Sequence, residues 1–133
     1  MKKFENFNSN LNVLISADQE NFNNEFIIRG IIYKFFIQFE LGWKVLKELL
    51  KYEGKSIASV GSPRDIIKAA FTIYDFIDED VWLGMLKSRN DMTHIYDGAA
   101  AKNLVYVILK QYIPAFIKLR DGIAAKYGED LEL

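Results

Sequence analysis

Cysteine is absent from this chain, histidine occurs once and proline twice. Without thiols there is no disulfide framework and no thiolate chemistry, which suits a reducing cytosol. One histidine and no cysteine cannot build the usual zinc clusters within a single chain, so neither a metal nor a cofactor is expected. Charge of one sign is also missing: 17 basic and 18 acidic side chains leave a formal net charge of −1. That balance exerts no overall pull toward nucleic acid or an acidic membrane, although it allows a small basic patch, including one shared by two subunits. Long uncharged apolar runs are lacking as well. The most apolar stretch, "FIIRGIIYKFFIQFELGW", is interrupted by Arg29, Lys34, Gln38 and Glu40, whereas a membrane span needs about 20 mostly uncharged residues. The opening "MKKFENFNSNLN" turns polar too early for a secretory signal. A soluble, cytoplasmic chain is expected.

What is present is a helical code. The 133 residues are half hydrophobic, enough for one domain (1–133) around a single core. Phe4, Phe7, Leu11 and Leu14 recur at three and four, marking a first amphipathic helix. The Asn-rich "ENFNN" ends it, and Asn23 is placed to cap a long second helix from about Asn24 to Tyr52, stopping near Gly54. At about 100° per residue, Ile31, Phe35, Phe39, Leu46, Leu49 and Leu50 share one side, with Arg29, Glu40, Lys44, Lys47 and Lys51 opposite. The first half of this helix carries more apolar residues than one face requires: Phe26, Tyr33, Phe36 and Ile37. Either its own neighbours cover both sides, or the surplus is a self-association surface.

Ser62, Pro63 and Asp65 spell a helix start, followed by Ile66, Ile67, Ala70, Phe71 and Tyr74 on a third helix. Asp78 is placed to cap a fourth, with Val81, Trp82, Met85 and Leu86. Gly98 breaks the pattern, and a last helix runs from about Ala99 to Tyr127 through Val105, Ile108, Tyr112, Phe116 and Ile123. Pro114 should kink it, because its ring opposes the carbonyl of Lys110. The tail "GEDLEL" is expected to fray. The outcome is an all-α, antiparallel four- to five-helix bundle.

Two apparent motifs dissolve on inspection. "EGKS" (53–56) resembles the end of a P-loop, but the required earlier glycine is Leu49 and a helix precedes it in place of a strand; Gly54 is better read as a helix C-cap. The carboxylates Asp75, Asp78, Glu79 and Asp80 fit no calcium spacing, and at a helix start they serve capping and the dipole.

The sole histidine lies in "RNDMTHIYD" (89–97). An imidazole can take or give a proton near neutral pH, and a guanidinium can grip a phosphate through paired hydrogen bonds. Together these suffice in kind for metal-free RNA cleavage, with the 2′-hydroxyl attacking, His94 taking its proton and Arg89 holding the phosphate. On one unbroken helix, however, Arg89 aligns with Tyr96, and His94 points about 140° away. Either the helix loosens between Asn90 and Thr93, or two chains share one site. Lys87, Arg64 and Lys68 could extend a phosphate-binding surface if they converge. Nothing in the chain reads as an aromatic platform for stacking single-stranded bases.

"RNDMTHIY" fits the Arg–four residues–His–one residue–Tyr signature of HEPN domains. Three flanking blocks, "FELGWKVLKELLKYEG" (39–54), "SPRDIIKAAF" (62–71) and "VWLGMLKSRNDMTHIYD" (81–97), resemble the nucleotidyltransferase substrate-binding subgroup, over roughly residues 25–125. The resemblance implies an all-α bundle that commonly dimerises, bringing the motifs of two subunits around one cleft. It implies pairing with a separate minimal nucleotidyltransferase in a two-gene, toxin–antitoxin-like module. Arg89 and His94 would be catalytic in a metal-independent endoribonuclease, with Asn90 a polar accessory. Tyr96 would be the tyrosine to which the partner transfers AMP. The alternative is a non-catalytic subunit that binds a nucleotide or substrate for the transferase.

Overall fold

The computed structural model describes residues 1–128; apart from Gly128, the tail expected to fray lies outside the described residues. Helix α1 (Lys2–Ile15) leads through a 3₁₀ turn (Ser16–Gln19) into α2 (Glu25–Tyr52). A second 3₁₀ turn (Ser56–Ser59) precedes α3 (Pro63–Ile73) and α4 (Glu79–Asn90). A single turn, α5 (Thr93–Tyr96), is followed by a long rod: α6 (Gly98–Val107), a π-helical segment (Ile108–Tyr112) and α7 (Ile113–Tyr127). No strand occurs among the described residues, and the fold is an all-α bundle.

The helix boundaries follow from local chemistry. Asn24, one residue later than expected, accepts the Phe26 and Ile27 N–H groups and starts α2. The helix ends where Gly54 takes a left-handed φ of 75°, letting the Lys55 N–H reach back to the Leu50 carbonyl at 2.9 Å, the role expected of a C-cap glycine. Ser62 and Asp65 exchange side-chain and backbone hydrogen bonds in a reciprocal box at the start of α3. Asp78 accepts the Val81 N–H at the start of α4. Phe71 departs from expectation: Ile66, Ile67, Ala70 and Tyr74 fill the inward face, and Phe71, about 100° round from Ala70, is left exposed. Pro114, expected to kink this helix, is preceded by a π-helical segment. The rod widens there, with the Ile113 N–H bonding five residues back to Ile108, one of the ways a helix accommodates an interruption of its hydrogen-bond ladder.

Contacts give the directions of packing. Lys3 pairs with Glu48, Phe7 with Gln38, and Asn10 with Lys34, so α1 runs antiparallel to α2. The rod lies alongside α2 in the same direction, Phe35 stacking on Tyr112 and Glu53 meeting Tyr127. At the centre, Phe7, Phe35 and Trp82 all pack on the Phe116 ring, with Phe39 against Trp82. Gly42 permits this, because a Cβ there would lie 2.9 Å from the Trp82 ring. The buried Gln38 amide donates to the Phe7 carbonyl and accepts from Asn10, so the one polar group deep in this interface is paired at both ends.

A hydroxyl clasp closes the far end. Tyr127 donates to Glu53 at 2.9 Å, which commits its only proton. The Tyr74 hydroxyl, 2.5 Å away, is therefore the donor to Tyr127. Burial, together with these two partners, holds the Tyr127 phenol well above its ordinary pKa. Tyr127→Phe would strand the buried Tyr74 hydroxyl, whereas Tyr74→Phe leaves no group unpaired. Urea denaturation should therefore show the first costing about 1–3 kcal/mol and the second clearly less; the reverse order would refute the assignment of donors.

Candidate functional site

Two aspartates divide the motif. Helix α4 stops at Asn90 because Asp91 turns extended, and the Asp91 carboxylate accepts the Thr93 N–H at 2.9 Å, starting the isolated turn α5. Those bonds from Thr93 hold the Asp91 carboxyl below its ordinary range. Asp97 repeats the device, accepting from Ala99 and Ala100 to begin α6. The break expected at Gly98 thus belongs to Asp91 and Asp97, and Gly98 is the first residue of α6. Of the two routes around the helical misalignment of Arg89 and His94, the local one is present: the helix opens between Asn90 and Thr93.

Helix α2 then collects the pieces. Arg29, Phe36 and Glu40 are spaced by seven and four residues, so they lie within about 40° of one line along the helix. Arg29 donates to the His94 carbonyl oxygen, and the Phe36 ring packs on the His94 imidazole with centroids 5.4 Å apart. Glu40 forms an ion pair with Arg89 at 2.5 Å, while its other oxygen accepts from the Trp43 indole. The Arg89 guanidinium also lies over the Phe39 ring and donates weakly to Asn90. Phe36 and Glu40 are one turn apart, a rise of about 6 Å, so the residues that touch His94 and Arg89 are neighbours on one face. Arg29 and Glu40 were expected on the polar side with Lys44, Lys47 and Lys51. They turn instead toward the motif, a pairing that only tertiary packing creates. Their spacing of eleven residues, three helical turns, was the available signal.

His94 is 5% exposed and its Nε2 has no hydrogen-bond partner. Burial lowers its pKa below 6.5, with Asp91 opposing and Arg29 reinforcing the shift, so the ring is held in the neutral, proton-accepting form at neutral pH. It borders a cavity of about 190 Å³ with Ser88, Asp91, Asn103 and Tyr112. Ser88 and Tyr112 hydroxyls bond to each other across 2.8 Å, fixing that wall. Tyr96, at the end of α5, is 78% exposed. Arg64, Lys87 and Asn90 line a separate open groove of about 640 Å³, and Asp91 lines it too. Lys68 is drawn off to Glu79 at 3.8 Å. No cluster of three or more metal-ligating side chains occurs among the described residues.

A family described as nucleotidyltransferase substrate binding protein like matches residues 1–125. That match starts earlier than residue 25, where the resemblance of the three blocks was taken to begin, and takes in α1. No curated protein matches the chain.

The state of His94 has a consequence for stability. Its folded pKa lies below the unfolded value of 6.5, so on acidification the unfolded chain takes up a proton that the folded ring resists. Stability should be full above pH 6.5, fall as pH drops from there, and level off below the lowered folded value. Asp91 and Glu48, depressed below 3.8 and 4.5, add their own losses only at more acidic pH. Thermal unfolding of wild type and His94→Gln across this window checks the assignment: the variant should lose the slope just below pH 6.5, and an identical slope in both would exclude His94 as its source.

Proposed function

We propose that this chain, which belongs to the family of nucleotidyltransferase substrate-binding-like proteins, is the helical half of a two-gene toxin–antitoxin module whose other half is a minimal nucleotidyltransferase. Its own activity is metal-independent endoribonucleolytic cleavage at Arg89 and His94. The observation that carries this reading is the α2 stripe, which draws the arginine and a neutral, partnerless imidazole toward one face.

In the reaction, the 2′-hydroxyl attacks the adjacent phosphorus while its proton passes to His94. The bond to the 5′-oxygen breaks, that oxygen takes up a proton from solvent, and a 2′,3′-cyclic phosphate remains. Burial lowers the His94 pKa and keeps the imidazole unprotonated at rest, free to take that proton. Arg89 spends one terminal nitrogen on Glu40. A guanidinium has five N–H donors, so others remain for phosphate oxygens as negative charge develops. Asn90, against Arg89, is a polar accessory.

Two further parts belong to the proposal. Phe26 and Tyr33, 88% and 65% exposed, lie on the outer side of α2. Together with the exposed Met92, Ile95 and Tyr96 of the motif, they are apolar surface available to a second copy of the chain. Tyr96 presents its phenol to solvent, where a partner transferase using ATP could form a tyrosyl–AMP ester and release pyrophosphate. The alternative function, a non-catalytic subunit that presents a nucleotide or other substrate to the transferase, draws on the near-complete enclosure of His94.

Purified wild type should cleave total RNA in EDTA to products ending in cyclic phosphate, and His94→Ala should lose at least about 100-fold in rate, as expected for removing a general base. Absence of cleavage by wild type would favour the substrate-presenting alternative. Separately, incubation with the partner transferase and ATP should add one AMP to the peptide containing Tyr96, and none to a Tyr96→Phe variant. Unchanged peptide mass in the wild type would remove the modification from the proposal.

A further inference from the structure

Four cationic side chains occur on α3 and α4: Arg64, Lys68, Lys87 and Arg89. Two are neutralised within the chain, Lys68 by Glu79 and Arg89 by Glu40. The other two, Arg64 and Lys87, come from different helices and line the same groove of about 640 Å³, together with Leu83, Gly84, Leu86 and Asn90. One carboxylate, Asp91, also lines the groove, and Lys87 contributes only a minor part of that group's pKa depression, well behind the bonds from Thr93. Two like charges facing one concavity, while their neighbours are paired off, is an arrangement that an arriving anion would relieve.

We infer that the groove between α3 and α4 binds the phosphodiester backbone of single-stranded RNA at a phosphate next to the one cleaved. The inference rests on the ribonuclease reading above and specifies how the strand would be held. The lining contains no aromatic ring, so nothing there stacks a base, and the recognisable group is phosphate. Arg64 and Lys87 supply the charge, and the Asn90 side chain can donate a neutral hydrogen bond. Asp91 lines both this groove and the cavity beside His94, so the two adjoin at that residue. Held ionised by Thr93, Asp91 repels phosphate from its own part of the lining. The strand is thereby confined to the Arg64–Lys87 side on one hand and the His94 side on the other.

The test uses the full chain and a fluorescent single-stranded 2′-O-methyl oligonucleotide, which lacks the attacking hydroxyl and cannot be cleaved. Its affinity is measured by anisotropy across a salt series. Each backbone phosphate neutralised on a single strand contributes about 0.7 to the slope of log affinity against log salt. Arg64→Gln with Lys87→Gln, which together hold one phosphate, should therefore flatten the slope by about 0.7. Lys68→Gln, on the same helix but paired, should leave it within error, and His94→Ala should bind with the full slope. Asp91→Asn should tighten binding. An unchanged slope in the double variant, or an equal loss in Lys68→Gln, would overturn the groove. Competition by ATP and by pyrophosphate separates the sources of phosphate: displacement by ATP at concentrations that saturate the oligonucleotide site, dependent on Arg64 and Lys87, would assign the groove to a free nucleotide and overturn the backbone inference. The two proposals fail separately. Normal RNA cleavage with an unchanged slope removes the groove alone, and a slope dependent on Arg64 and Lys87 without cleavage removes the nuclease alone.

Discussion

Everything at this site depends on one ion pair and one backbone hydrogen bond made by the same helix. Glu40 takes the Arg89 guanidinium and Arg29 takes the His94 carbonyl. Between them, Phe36 sets the tilt of the imidazole. Neither link is deeply buried: the Arg89 and Glu40 side chains are each 32% exposed, so solvent screening keeps the pair from being a large source of stability. Its importance is geometric. A long helix acts as a ruler, and the last turn of α4 and the isolated turn α5 are held in register against it. Because that same helix carries the core through the fully buried Phe35, Phe39 and Leu46, the site is tied directly to the core.

How far the chain could be read beforehand differs sharply between local and distant determinants. Ser62, Asp65 and Asp78 act within three residues of themselves, and their caps appear where their spacing placed them. The stripe Phe4, Phe7, Leu11 and Leu14 is buried as its period requires. Arg29 and Glu40 are different. As isolated charges on an amphipathic helix they look solvated, and what turns them inward lies far along the chain in Arg89 and the His94 carbonyl. Phe71 shows the opposite error: hydrophobicity suggested burial, but the inward side was already filled by Ile66, Ile67 and Ala70 of α3 and by Tyr74 just after it. The clasp of Tyr74, Tyr127 and Glu53 left no mark in the sequence at all, since its members are widely separated and no spacing rule links them.

Family membership and overall charge each say less than the pairing pattern does. A fold hosts many functions, and a chain with net charge −1 would be passed over as a nucleic-acid binder on composition alone. Yet charge acts over roughly a Debye length, about 8 Å at physiological salt. What an incoming phosphate meets is therefore the local excess that remains after internal ion pairs are subtracted. On α3 and α4 that subtraction leaves Arg64 and Lys87, and it leaves them on one concavity.

The widened turn at Ile108–Tyr112 reaches further than its proline. Between Ala101 and Tyr127 an uninterrupted α-helix at about 100° per residue would overshoot a straight line by about 80°. Residues that begin facing the core would finish beside it. A slower rotation through those five residues takes up most of that overshoot, which is why Ala101, Val105, Ile108, Phe116, Ile123 and Tyr127 are all inward. Excision of a single residue from this segment would leave four ordinary helical steps, about 400° of rotation against about 420°, so Tyr127 would stay within about 20° of the azimuth at which it meets Tyr74 and Glu53.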